Sequence, residues 1–137
     1  MMILLQTDKL TASIVFSTLN TTRARLDLIE RLSSSKITDE ETRRRLSRIV
    51  NRFRKATKYR NEFTHSMYVL DEQGNITSTQ TMRPSVSGGD LRLGFERAVD
   101  EARLRTMRKA VRDMTALNRE MWDFLPDLRR QMQRARK

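Results

Sequence analysis

An all-α fold is predicted by three features of this 137-residue chain. Glycine and proline are scarce, four and two in number. Both lie away from the long stretches of helical apolar spacing, and nothing repeats at a fixed period. The expected architecture is a four- to five-helix up-and-down bundle, one domain over residues 1–137, with a short β-hairpin inserted after the second long helix. That length is enough to close a single core.

The first helical stretch starts at Thr7-Asp8, a plausible cap, and keeps Leu10, Ile14, Val15 and Leu19 at helical spacing. Leu26, Ile29 and Leu32 carry the pattern to about Ser33. The sequence leaves open whether Asn20-Thr21-Thr22 kinks one helix over 8–33 or divides it into two. Ser33-Ser34-Ser35-Lys36 is expected as a polar connection. Thr38-Asp39-Glu40-Glu41 has the form of a capping box, with acids beside the positive end of the helix dipole. The second long helix then presents Leu46, Ile49, Val50, Phe53 and Ala56 on one face. The continuation of that face passes through Arg60, an unusual place for a charge.

After Ser66 the texture changes. β-prone residues flank the turn cluster Asp71-Glu72-Gln73-Gly74-Asn75, predicting a hairpin over 67–81. Residues 83–90 are expected as a loop. A third long helix is expected from about Asp90 or Leu93, with Phe95, Val99, Ala102, Met107, Ala110 and Leu117 on its apolar side. Pro126 either kinks that helix or starts a last one.

Composition narrows the function. With no cysteine, disulfide and thiolate chemistry are excluded, and the chain suits a reducing compartment. The opening Met1-Met2-Ile3-Leu4-Leu5 is too short for a signal-peptide core and lacks a basic leader. No apolar run approaches the roughly 20 residues of a membrane span. A cytoplasmic protein without a membrane anchor is expected. The net charge of +11 and the 22 arginines against 6 lysines point to a polyanionic partner such as RNA, DNA or an acidic protein. A solvated basic surface is the competing explanation.

His65 is the only histidine, and hence the only side chain whose unperturbed pKa lies near neutrality. Helical geometry places Asn61, His65 and, if the helix persists that far, Tyr68 on one stripe, with Arg60 about 100° around. This set offers a proton exchanger, a permanent cation with phosphate-matched donors, and an orienting amide. Those groups suffice to cleave RNA without a metal. The same residues also suit a plain helix end, His65 meeting the negative dipole end and Arg60 pairing with a carboxylate such as Glu62. A single histidine and no cysteine argue against zinc, and no cofactor motif is present.

Arg60-Asn61-Glu62-Phe63-Thr64-His65 resembles the R-x4-6-H motif of HEPN domains, including the polar residue that often follows the arginine. The resemblance implies an all-α bundle and a metal-independent endoribonuclease of toxin–antitoxin, defence or RNA-processing type. Its site would be composite, at the interface of a homodimer. By this resemblance Arg60 and His65 are catalytic and Asn61 assists. RNA is the implied substrate and an antitoxin a possible partner. Arg54, Lys58 and Tyr68 are the candidate nucleic-acid contacts, and no metal or cofactor is implied. One HEPN subgroup has a modifiable tyrosine two residues after the histidine. Here Met67 occupies that place, so that regulation is not carried over. The competing functions are a non-catalytic basic helical module binding nucleic acid or an acidic partner, and a structural helical oligomer in which Arg60 and His65 only hold a helix end.

Overall fold

The computed structural model describes residues 1–81, 84–87 and 89–134. The chain is mostly helical, with a small antiparallel sheet and a long C-terminal helix after it. It divides into two compact units, Met1–Thr57 with the final segment from Met114, and Lys58–Asp113; each is described by itself.

In the first unit, helix α1 (Met2–Leu5) precedes α2 (Lys9–Thr18) and α3 (Thr22–Lys36). Asp8 caps α2, its carboxylate accepting from the Thr11 N–H at 2.9 Å and the Thr11 hydroxyl at 2.6 Å. The Asn20-Thr21-Thr22 segment divides the helical stretch into two. The Thr21 hydroxyl accepts from the Ala24 N–H at 3.1 Å and starts α3 as its N-cap. Arg25 from α3 lies over the Phe16 ring, 3.8 Å from its centroid. The serines expected as a connection instead form the last turn of α3, with Ser33 buried. Serine is poor only in intrinsic helix propensity, and packing overrides that.

Helix α4 (Glu40–Thr64) brings Leu46, Ile49 and Val50 into the core. Its cap is not the expected Thr38. Asp39 sits one residue before the helix and accepts from the Thr42 N–H at 2.8 Å, which moves the cap one position along. Helix α5 (Glu101–Arg134) contributes Leu117, Phe124, Leu128 and Met132 to the same core, together with Leu4, Leu26 and Ile37. The α5 residues are spaced seven, four and four apart, which is the spacing of one helix face. Within this unit α4 and α5 are antiparallel. Arg45 pairs with Asp127 at 3.0 Å, and seven residues onward Arg52 pairs with Glu120, seven residues back.

Pro126 neither ends α5 nor starts another helix; it lies inside α5. It is exposed, and an exposed helical proline costs less than a buried one because water can serve the carbonyl left without a donor. Residues 135–137 of the basic tail lie outside the described residues.

In the second unit, β1 (Ser66–Leu70) pairs antiparallel with β2 (Ile76–Thr81), with a register shift between Val69 and Leu70. The Asp71 carboxylate closes the turn, accepting from the backbone N–H of Gln73 at 3.0 Å and of Asn75 at 2.8 Å. The stretch 83–90, expected as a loop, instead carries β3 (Pro84–Ser87), which pairs with β4 (Asp90–Leu93). Val86 opposes Leu91 across that ladder, and Pro84 takes the first strand position, where a missing N–H is tolerated. Arg83 and Gly88 of that stretch lie outside the described residues.

The expected start of the third long helix is also corrected. Residues 90–93 are strand, and β5 (Glu96–Ala98) adds to the free edge of β2 with Thr79 opposite Arg97. Helix α5 begins only at Glu101, where the Asp100 carboxylate accepts from the Arg103 N–H at 2.7 Å. Among the described residues no helix is long and apolar enough to cross a membrane.

Phe124 is 1% exposed, and Phe124→Ala is expected to lower stability by about 3–5 kcal/mol in urea denaturation. The Asp8 carboxyl is held down to about 2, first by the Thr11 hydroxyl, then by the Thr11 N–H, with Thr7 adding. A depressed carboxyl stabilises the fold above its unfolded value near ~3.9 and loses that contribution as pH falls through its folded value. Helix content followed by circular dichroism is therefore expected to show a component lost between about pH 4 and about pH 2. Asp8→Asn removes that component.

Candidate functional site

The C-terminal end of α4 is closed by the chain that follows it. Helix ends leave carbonyls without donors, and here three successive ones are met. The His65 N–H donates to the Asn61 carbonyl at 3.2 Å, the Ser66 hydroxyl to that of Glu62, and the Tyr68 hydroxyl to that of Phe63 at 2.9 Å. Tyr68 therefore lies on β1 and not on the helical stripe with Asn61 and His65. Its hydroxyl serves the helix end, while its side chain is half exposed.

Beside this end lies a cleft of about 470 Å³. Among the described residues it is lined by Lys58, Tyr59, Asn61, Glu62, His65, Thr81 and Arg97. Asn61 and His65, one helical turn apart, open onto it together. Lys58 adds a cation from the preceding turn, and forms no ion pair among the described residues. Arg60 is exposed and does not line the cleft. Its Nη1 donates to the Asn61 Oδ1 at 3.3 Å, so it touches the site through Asn61. The continuation of the apolar face of α4 thus carries no buried charge at Arg60. Within one chain, Asn61 and His65 share the cleft and Arg60 stands at its margin.

The opposite wall comes from the sheet. Arg97 on β5 donates to Glu62 Oε1 at 3.2 Å, and Arg103 on α5 donates to the same oxygen at 3.3 Å. The Arg103 side chain is only 14% exposed. It also donates to the Thr79 hydroxyl at 2.7 Å and lies 5.9 Å from the Phe63 ring centroid. Its Nε is buried without a hydrogen-bond partner among the described residues. Glu62 is therefore the shared anchor of two guanidinium groups, one largely shielded and bonded to Thr79 on β2 and one at the cleft. Gly94 admits a close approach at the strand junction. It has φ +72, and a Cβ there would collide with the Thr81 carbonyl oxygen.

Arg54, a sequence candidate for nucleic-acid contact, is committed elsewhere. In the first unit its Nη2 donates to Asp27 Oδ1 and Glu30 Oε2, both at 2.6 Å, and its Nη1 to Glu30 Oε1 at 2.9 Å. That fork matches carboxylate geometry and leaves little of the guanidinium for phosphate.

Sequence reasoning missed Arg97, Glu62 and Thr81 as cleft residues. Phe95, Val99 and Ala102 mimic helical spacing and hid β5. The available signal was Asp100-Glu101, an N-cap followed by an acid in the first turn, which places the helix start after Arg97. No group of three histidine, aspartate or glutamate side chains that could hold a metal ion occurs among the described residues. Compared with known protein-family models, with characterised proteins and with solved structures, the chain matches none.

Glu62→Ala leaves the poorly exposed Arg103 guanidinium without its carboxylate. It is expected to lower stability by about 2 kcal/mol, while Thr79→Val costs about 1 kcal/mol. Thermal denaturation of the two variants measures both.

Proposed function

We propose that the chain is an HEPN-like, metal-independent endoribonuclease whose site is completed across a homodimer. The observation that carries this reading is the open cleft at the end of α4. It holds the lone imidazole of His65 beside the Asn61 amide, with cationic side chains Lys58 and Arg97 on its walls. Arg60 supports the composite form of the site. It is exposed at the cleft margin, bonded to Asn61, where its guanidinium can reach the cleft of a second copy. The same reading carries a four- to five-helix up-and-down bundle of HEPN type, and an antitoxin or similar partner protein that restrains the activity.

In this mechanism the phosphodiester lies in the cleft with a ribose 2′-hydroxyl near His65. The imidazole takes the hydroxyl proton, and the 2′ oxygen attacks phosphorus. The bond to the 5′ oxygen breaks, and that oxygen takes up a proton from the histidine of the second copy. The products are a 2′,3′-cyclic phosphate and a 5′-hydroxyl. Arg60 stabilises charge building on the phosphoryl oxygens, and Asn61 holds Arg60 in orientation. Lys58 and Arg97 hold the flanking backbone by charge.

His65→Ala and Arg60→Ala are each expected to lower RNA cleavage by at least ~100-fold in buffer containing EDTA, with circular dichroism unchanged. The parent's products are expected to end in a 2′,3′-cyclic phosphate. Undiminished cleavage by purified His65→Ala sinks the assignment.

A further inference from the structure

Trp122, the chain's only tryptophan, lies in the first unit on α5 and is 66% exposed. The buried side of the same helix segment carries Leu117, Phe124 and Leu128. Counting 100° per residue, Asn118, Arg119, Pro126 and Arg129 fall within about 60° of Trp122, and all four are exposed. Neither Arg119 nor Arg129 forms an ion pair among the described residues. The nearby carboxylates of Glu120 and Asp127 are already engaged, by Arg52 and by Arg45 and Arg130. Asp123 borders the face about 100° round from Trp122 and pairs with neither arginine. Pro126 stands four residues after Trp122 and has no N–H, so the Trp122 carbonyl lacks its usual helical donor on this exposed side.

An exposed indole and two arginines without a carboxylate partner among the described residues share one face. We infer that this face receives single-stranded RNA, with a base stacked on the Trp122 ring and backbone phosphates on Arg119 and Arg129. Base–aromatic stacking tolerates any sequence because every base has a π face, and the arginines supply the counter-charge. The two arginines are ten residues apart along the helix, about 15 Å, a span of a few nucleotides. A second copy of the chain suits the face less well. A symmetric pairing through Trp122 gathers four arginines into one patch, and like charges so placed repel. The inference extends the reading of RNA as partner and does not require cleavage.

The test uses the full chain and a short 2′-O-methyl oligouridine, which has no 2′-hydroxyl to attack phosphorus. Emission from Trp122, the sole indole, is expected to be quenched as the oligonucleotide saturates. By anisotropy of a labelled oligonucleotide, Trp122→Ala is expected to bind about tenfold to a hundredfold more weakly. The Arg119→Gln/Arg129→Gln double variant is expected to reduce the slope of log K against log salt by about 1.4. Each position is exposed, so both variants are expected to melt near the parent temperature. The probe cannot be cleaved, so its binding is read without any turnover, which separates a failure here from a failure of the cleavage reading. Unquenched emission at saturation, or a Trp122→Ala variant that binds as tightly as the parent, overturns the inference. Conversion of a dimer to monomers by Trp122→Ala with oligonucleotide affinity unchanged also overturns it, and assigns the face to a second copy.

Discussion

Seventeen carboxylates face twenty-eight lysine and arginine side chains in this protein, and where each acid sits decides which arginines are structural. In the first unit Asp27 and Glu30 fix Arg54, Glu120 fixes Arg52, and Asp127 fixes Arg45. These pairs border the apolar face of α4 and hold its neighbours in register over Leu46, Ile49 and Val50. Hydrophobic burial supplies most of the favourable free energy, and the ion pairs choose among the ways two such helices slide. Seventeen carboxylates cannot match twenty-eight cations one for one, so cationic side chains are left over. Arg60, Arg119 and Arg129, which form no ion pair among the described residues, belong to that remainder.

Glu62 applies the same constraint to the second unit. A single carboxylate oxygen receives Arg97 and Arg103, so β5 at the cleft and the first turn of α5 share one anchor. The hydroxyls of Ser66 and Tyr68 finish α4 and turn the chain directly into a strand. Only His65 separates the helix end from the strand, and the side chains at that end line one cleft with Thr81 and Arg97. This is how a cleft with one imidazole gains a cationic wall from Arg97, 32 positions beyond His65 in the sequence.

Much of this was legible in the sequence, and what was not has specific causes. The face of α4 through Leu46, Ile49 and Val50, the Asp8 cap and the turn at residues 71–75 are local signals, and local signals survive in a single chain. The division at Asn20-Thr21-Thr22 needed the geometry of the Thr21 cap to be decided. The start of α5 was misread because Phe95, Val99 and Ala102 repeat at helical spacing, while the pairing that holds β5 is with distant β2. Arg60 was expected on a buried face by extrapolating a periodicity that packing does not follow to the end of α4. The motif supplied Asn61 and His65 together. The partner wall was hidden, because Arg97 enters through a non-local ladder and carries no pattern of its own.

The position of β5 has a kinetic consequence. Strands β1 and β2 are joined by a five-residue turn and can pair soon after the chain begins to collapse. Strand β5 reaches β2 only after the intervening segment with β3 and β4 has folded back, so its pairing comes with a larger loop-closure cost. It is also an exposed, three-residue edge strand, the kind of element that opens before the rest of a fold. Asn61 and His65 would remain on α4 during such an opening, while Arg97 would leave with β5. The cleft therefore has one wall on a continuous helix and one on a short edge strand, and the two differ in how much pairing holds them.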